Sequence, residues 1–287
     1  MAGVDVLVPT CDRPAALAAT LACLLPQTDA FSRLVVSDQG RSFRASDARE
    51  VRAIARLLEF RGVDVAFLNH FPHRGMAEHR QFLLDQARAP YALFLDDDVL
   101  TEPDLVRRLV NAMERARCGF VGSFVNATSA VDATDGVDRC PDVLTLDLWD
   151  GPVEPERVEP GTPAWTRYRL HFAANLDAVC KRLGITRDCE RLYRVAWIGG
   201  CVLFDVEKLR AVGGYRFWEQ LPSEHVGEDV LAQLRVMAAF GGAGLAPSGA
   251  WHQEVRTTLP QRAVDAPLVL PLDQPVTAGE VTRAAVG

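Results

Sequence analysis

The chain has 287 residues, 48% of them hydrophobic, enough to bury the core of one large α/β domain or two small ones. Its net charge of −7 excludes general binding to nucleic acid or to an anionic membrane surface. Its seven cysteines are scattered, odd in number and without a C-x-x-C pair, which predicts reduced thiols and neither a disulfide framework nor a zinc site.

The N-terminus runs straight into a strand pattern, Val4–Val8, with no basic region followed by an apolar one. No signal peptide is expected, no apolar run reaches bilayer length, and a cytoplasmic protein without a membrane span follows. Asp12 is placed to cap a helix with Leu17, Leu21 and Leu24 on one face. A second strand, Leu34–Val36, delivers Ser37 and Asp38 to its C-terminal end. Val51, Ile54, Ala55 and Leu58 mark a helix, and Val63–Leu68 a third strand. Strands alternating with helices at this spacing predict βαβ units around a mostly parallel sheet. Neither G-x-G-x-x-G nor G-x-x-x-x-G-K-[ST] occurs, which argues against a dinucleotide-binding or P-loop domain.

The loop Asn69–Gly75 gathers His70, His73 and Arg74, and Gly75 opens a helix carrying His79 and Arg80. Donors collected at a helix N-terminus predict an anion site there. The apolar run Tyr91–Leu95 reads as a buried strand that breaks into Asp96, Asp97 and Asp98, with Thr101 as the next helix cap. Three adjacent carboxylates are tolerated best in water or around a hard cation such as Mg²⁺ or Mn²⁺. They stand at a strand's carboxyl end, where open α/β sheets bind ligands.

A helix with Leu105, Leu109 and Met113 and a strand Phe120–Val125 follow. From 126 to 194 the pattern loosens, with a strand-like piece at Val143–Trp149, an aromatic cluster including Trp165, Tyr168 and His171, and a helix near Ala174–Leu183. Such irregular inserts carry partner-specific contacts. Regular spacing returns at Val195–Ile198 and the strand Cys201–Phe204. Glu228 and Asp229 open an apolar helix running to Phe240, where the macrodipole is expected to hold them ionised. A short strand, Gly244–Ala246, precedes Trp251-His252, and residues 256–287 read as an irregular tail that wraps the domain or closes over the site.

Five segments, in this order, resemble the family 2 glycosyltransferases: VDVLVPTCDRP, RLVVSDQG, GMAEHRQ, FLDDDVLTEP, and IGGCVLFDVEKLRAVGGY with the later GED. They cover roughly residues 4–125 and 195–252, and their order and spacing are specific where each alone is weak. His79 and Gln81 depart from the family's usual Ala and Asn. The resemblance implies a GT-A fold, an α/β Rossmann-like three-layer sandwich around a mostly parallel sheet. It implies one domain over 1–255, with a nucleotide-sugar-binding half (1–125), an acceptor-side insert (126–194) and a catalytic-base half (195–255).

It also implies roles. Pro9, Thr10, Asp12 and Arg13 would line the nucleoside pocket, and Asp38 would accept the uracil N3–H. Arg80 would lie near the nucleotide or its phosphates. Asp96 and Asp98 match the two acids of D-x-D, with Asp97 beside them on the nucleotide side. Asp98 would bind the divalent cation, Mn²⁺ or Mg²⁺, while Asp96 would hold the ribose or a metal-bound water. His252 would be a further metal ligand. Asp229 would be the general base, with Glu228 orienting the acceptor. The donor implied is a UDP-sugar, a UDP-hexose or UDP-N-acetylhexosamine, transferred with inversion.

Gln253-Glu254-Val255-Arg256 is followed by Thr257, where polymerising members carry Trp in a Q-x-x-R-W motif, and this favours a soluble acceptor. That acceptor is a small molecule, free or carrier-bound, or a polysaccharide precursor; an oligomer is left open. Two alternatives remain at this point: a sugar-1-phosphate nucleotidyltransferase and a non-catalytic nucleotide-sugar-binding module.

Overall fold

The computed structural model describes residues 3–131, 145–258 and 262–273. Cys140, Val143 and Leu144 of the insert, and the tail beyond 273, lie outside these residues. Strands β1 (Val4–Thr10), β2 (Arg33–Asp38), β3 (Asp64–Asn69) and β4 (Tyr91–Leu95) alternate with helices α1 (Pro14–Leu24), α2 (Arg49–Phe60) and α3 (Met76–Gln86). They lie in the order β3-β2-β1-β4, all parallel, so their carboxyl ends share one edge.

The chain then adds β5 (Val99–Thr101), α4 (Leu105–Ala116), β6 (Phe120–Ala127), α5 (Leu176–Arg182), β7 (Arg191–Tyr193) and β8 (Cys201–Asp205). Helices α6 (Val206–Ala211) and α7 (Glu228–Phe240), strand β9 (Gly242–His252) and helix α8 (Ala266–Val269) complete it. The sheet continues β4-β8-β6-β9-β5, with β7 also on β9. Strands β6 and β9 run with the first four, and β8, β5 and β7 run against them. The sheet is therefore mostly parallel.

Period-two alternation sorts the core onto both faces of the sheet. Val4, Val6, Val8, Leu93 and Leu95 pack with Leu17, Leu21, Val51, Leu58 and Leu109 of α1, α2 and α4. Leu7, Val35, Ala92 and Phe94 face the opposite way, against Leu83, Leu84, Leu209, Leu231 and Leu234 of α3, α6 and α7. Helices thus cover both faces, giving three layers of GT-A type.

Four local expectations differ. Asp12 does not cap α1; it sits at φ 53° and accepts from the Arg41 and Ser42 N–H groups, fastening two loops together. Thr101 is in β5, accepting from Gln27 Nε2 at 2.8 Å. Val195–Ile198 is irregular and carries Trp197 to the sheet edge. Strand β9 is far longer than Gly244–Ala246. Its run GAGLAPSGAWH lacks β-branched residues, because a Cβ at Gly242 or Gly244 would collide with the rings of Phe120 or Tyr193. Pro247, which has no N–H to give, sits where the β6 register shifts between Ser123 and Val125.

Candidate active site

The parallel carboxyl ends and the start of α7 enclose a cleft of about 1050 Å³. Of the residues given roles by the resemblance, all but Asp38 line it; of the donors expected to form an anion site, His73, His79 and Arg80 line it and His70 and Arg74 do not. Asp38 is 3% exposed, and its two oxygens accept from the N–H groups of Gly40 at 2.7 Å and Ala45 at 2.6 Å. Its carboxylate shapes the loop after β2.

The three aspartates after β4 take separate tasks. Asp97 is fully buried, accepts from Thr10 Oγ1 at 2.6 Å and pairs with Arg13. Burial lifts its carboxyl to about 7, against the pull of Arg13 and Thr10. Its backbone carbonyl accepts from Thr20 Oγ1, so Asp97 ties the loop to β1 and α1. Asp98 accepts from Arg13 Nη1 at 2.6 Å and lies 3.5 Å from His252 Nε2. Asp96 is part-exposed and accepts from Arg80 Nη2 at 3.0 Å.

Arg80, 5% exposed, links the two carboxylate clusters, since its Nε also donates to Glu228 Oε1 at 2.9 Å. Burial opposes its charge, yet Asp96 and Glu228 outweigh that and raise its pKa. Asp229 follows Glu228 at the first turn of α7. Burial first, then the charge of Glu228, raises its pKa above the ordinary carboxylate range. This corrects the expectation that the helix terminus keeps it ionised. The dipole contributes about 0.3–1 kcal/mol at an exposed terminus, too little against burial beside a like charge.

The N-terminus of α3 also differs from expectation. His225 Nδ1 donates to the Pro222 carbonyl, and its Nε2 accepts from the Ala77 N–H at 3.1 Å. That bond caps α3 and takes a donor predicted for an anion. His79 is buried on Ser37 Oγ at 2.8 Å, and burial lowers its pKa to about 3, so it is a neutral structural imidazole. His70 binds Glu78 at 2.8 Å.

Asp98 and Asp96 are hard oxygen donors in the lining of the cleft, the ligand type that Mg²⁺ and Mn²⁺ take together with substrate phosphates and water. Among the described residues, no group of three or more His, Cys, Asp or Glu side chains is arranged to hold a metal ion. His252 Nδ1 accepts from the Glu254 N–H at 2.8 Å, which puts the ring proton on Nε2, facing Asp98. The metal role expected for His252 needs a lone pair on Nε2, so this tautomer suits a hydrogen bond to Asp98 instead. Asp98 and Asp96 fit a divalent cation, and His252 as placed does not.

A second cavity of about 500 Å³ adjoins the cleft and shares Asp96, Asp229 and His252 with it. Phe124, Val125, Ala127, Ala174 and the Gly199-Gly200 turn form part of its wall. The turn is held by the Asp96 N–H on the Gly200 carbonyl at 2.9 Å, and by Gln233 of α7, which bonds both the N–H and the carbonyl of Ile198. Trp197 reaches the cleft and stacks on Tyr168 and, at 4.7 Å, on His171 of the second cavity. The sequence marked this aromatic cluster as part of an acceptor-side insert; only the fold brings 165–171 against 197.

Residues 5–184 match the family model described as Glycosyl transferase family 2, and the chain belongs to that family. No curated protein matches it. Among solved structures, residues 1–349 of TarS from S. aureus align with a TM-score of 0.53 at 13% identity, covering 87% of this chain and 60% of that one. A complex of the same TarS fragment with UDP-GlcNAc aligns with a TM-score of 0.53 at 12% identity over 90% and 60% of the two chains. The mannosyltransferase PcManGT from Pyrobaculum calidifontis, in complex with GDP-Man and Mn²⁺, aligns with a TM-score of 0.54 at 13% identity over 90% and 59%. The chain spans about three fifths of these structures, and at such identity the likeness shows the shared GT-A fold. Among the described residues, no helix is long and apolar enough to cross a membrane.

Proposed function

We propose that the chain is an inverting, metal-dependent glycosyltransferase that moves a hexose or N-acetylhexosamine from its UDP-sugar to a hydroxyl-bearing acceptor. One observation carries this reading. Asp229, with a pKa raised by burial and Glu228 against the pull of Arg80, stands where the cleft and the second cavity meet. The nucleotide lies in the cleft, and the acceptor reaches Asp229 from the second cavity. UDP is favoured by the complexes of TarS with UDP and UDP-GlcNAc, and a divalent cation by the Mn²⁺ of PcManGT.

In the reaction, the acceptor oxygen attacks C1 of the sugar while the C1–O bond to the diphosphate breaks. The acceptor proton passes to Asp229, and UDP leaves with the bonding electrons. Glu228 and Arg80 hold the first turn of α7, and with it Asp229, against Asp96. Asp98 and Asp96 would hold the cation, which supplies charge stabilisation to the leaving diphosphate. A single base and a single displacement invert the anomeric centre and form no covalent sugar intermediate. Asp229→Asn tests the reading: turnover falls by about 100-fold or more while UDP affinity stays, as removal of a general base predicts. Full transfer activity in that variant would remove Asp229 from the role.

A further inference from the structure

Gln39 follows β2 directly, lines the cleft and is 5% exposed. Its backbone is fixed, since its N–H donates to the Thr10 carbonyl at 3.0 Å and its carbonyl accepts from Cys11 Sγ. Yet its side-chain Nε2 is buried without a hydrogen-bond partner among the described residues. His73, in the same lining, has the same property: its Nε2 is buried and unpartnered. The other face of that ring bonds the Gln39 backbone. The Gln39 N–H is engaged by Thr10, so the ring donates through Nδ1 to the Gln39 carbonyl. Burial and the nearby Arg41 cation lower the His73 pKa and so favour the neutral ring, whose Nε2, with the proton on Nδ1, is an acceptor.

An unpaired donor and an unpaired acceptor therefore line the same cleft. Each such buried group is costly to leave unpaired, and one in a native cleft calls for a partner such as a ligand. Asp38, one residue earlier, is engaged by its own loop and leaves this wall to its neighbours.

We infer that Gln39 and His73 read the base of the donor nucleotide. His73 Nε2 takes the N3–H of a uracil, and the Gln39 amide gives to the adjacent ring carbonyl. The inference rests on the nucleotide reading of the cleft given above. Cytosine has the same size but presents a bare N3 and an amino group in place of the carbonyl, so it faces both side chains with the wrong partner. A site built on hydrogen bonds rejects such a mismatch strongly, because its own buried groups are left unpaired.

The test is calorimetric titration of the full chain with UDP, CDP and GDP in the presence of Mn²⁺. It uses the wild type, Gln39→Leu and His73→Phe, with thermal melting of each protein free of nucleotide. The wild type is expected to favour UDP over CDP by about tenfold or more, and each variant to lose most of that ratio. Gln39→Leu without nucleotide is expected to melt no lower than the wild type, because it removes an unpaired buried amide; a residue kept for structure would melt lower. His73→Phe keeps an aromatic ring and covers the case in which Gln39→Leu does not fold. An unchanged UDP-to-CDP ratio in both variants overturns the inference, as does tighter binding of GDP than of UDP. A wild type that binds UDP and CDP alike sinks the inference alone; one that binds no nucleotide sinks it together with the nucleotide reading.

Discussion

At Asp229 two effects compete, and burial beside Glu228 outweighs the helix terminus. A base works only when deprotonated, so the proposed role of Asp229 predicts that transfer rises with pH as it loses its proton. Because its pKa is raised, the acid limb of kcat/KM is expected well above the range near 3.9 of a free aspartate, displaced toward neutrality. A pH–rate profile checks this, and a limb at the free-aspartate position contradicts it. Arg80 is the counterweight in the same cluster. Arg80→Met leaves Glu228 buried without its cation, which should cost about 3–5 kcal/mol of stability in urea unfolding at pH 7. At this scale, acid pairs and basic residues at strand and helix ends were legible because their positions follow from periodicity. The division of labour among Asp96, Asp97 and Asp98 was not, since it depends on Arg13 and Arg80, which arrive from other elements. The His252 tautomer hangs on a backbone N–H two residues away, a contact that no side-chain pattern encodes.

Among the elements, α3 and α7 aim the site, and each begins at a glycine with positive φ. Gly75 has φ 104° and ψ 168°, a region open almost only to glycine, and a Cβ there would lie 2.5 Å from His225 Cε1. The same residue therefore starts the helix and makes room for the imidazole that caps it. Gly75→Ala should cost roughly 1–3 kcal/mol and displace the turn that carries Arg80. Urea unfolding gives the first quantity, and a loss of nucleotide affinity beyond the stability effect gives the second; a neutral substitution would contradict this account. Helix starts were visible in the sequence, but the His225 cap was not, because its partner is about 150 residues distant. Strand β9 was shortened in the reading for a related reason. Its small residues signal close packing against Phe120 and Tyr193, which only the sheet order explains.

At the scale of the molecule, the first half supplies a parallel sheet whose carboxyl ends form one wall, and the second half lays α7 across it. The alternation of strands and helices made that architecture readable over the first 125 residues. The later sheet order was hidden, because β8 inserts antiparallel between β4 and β6 and joins segments far apart in the chain. The tail was legible only as irregular. Over its described part, Val226 bonds Val264 and Ala266, and α8 packs on α7, so the tail braces the loop that precedes α7. Together these parts make a cleft lined by carboxylates, and the central claim is that it binds a nucleotide through a metal. The most direct measurement is calorimetric titration with UDP, with and without Mn²⁺, of the wild type and Asp98→Ala. The account predicts binding that weakens about tenfold or more when Mn²⁺ is withheld, and a variant that no longer responds to the metal. Equal affinity with and without Mn²⁺, or an Asp98→Ala protein that keeps the full metal effect, would contradict it.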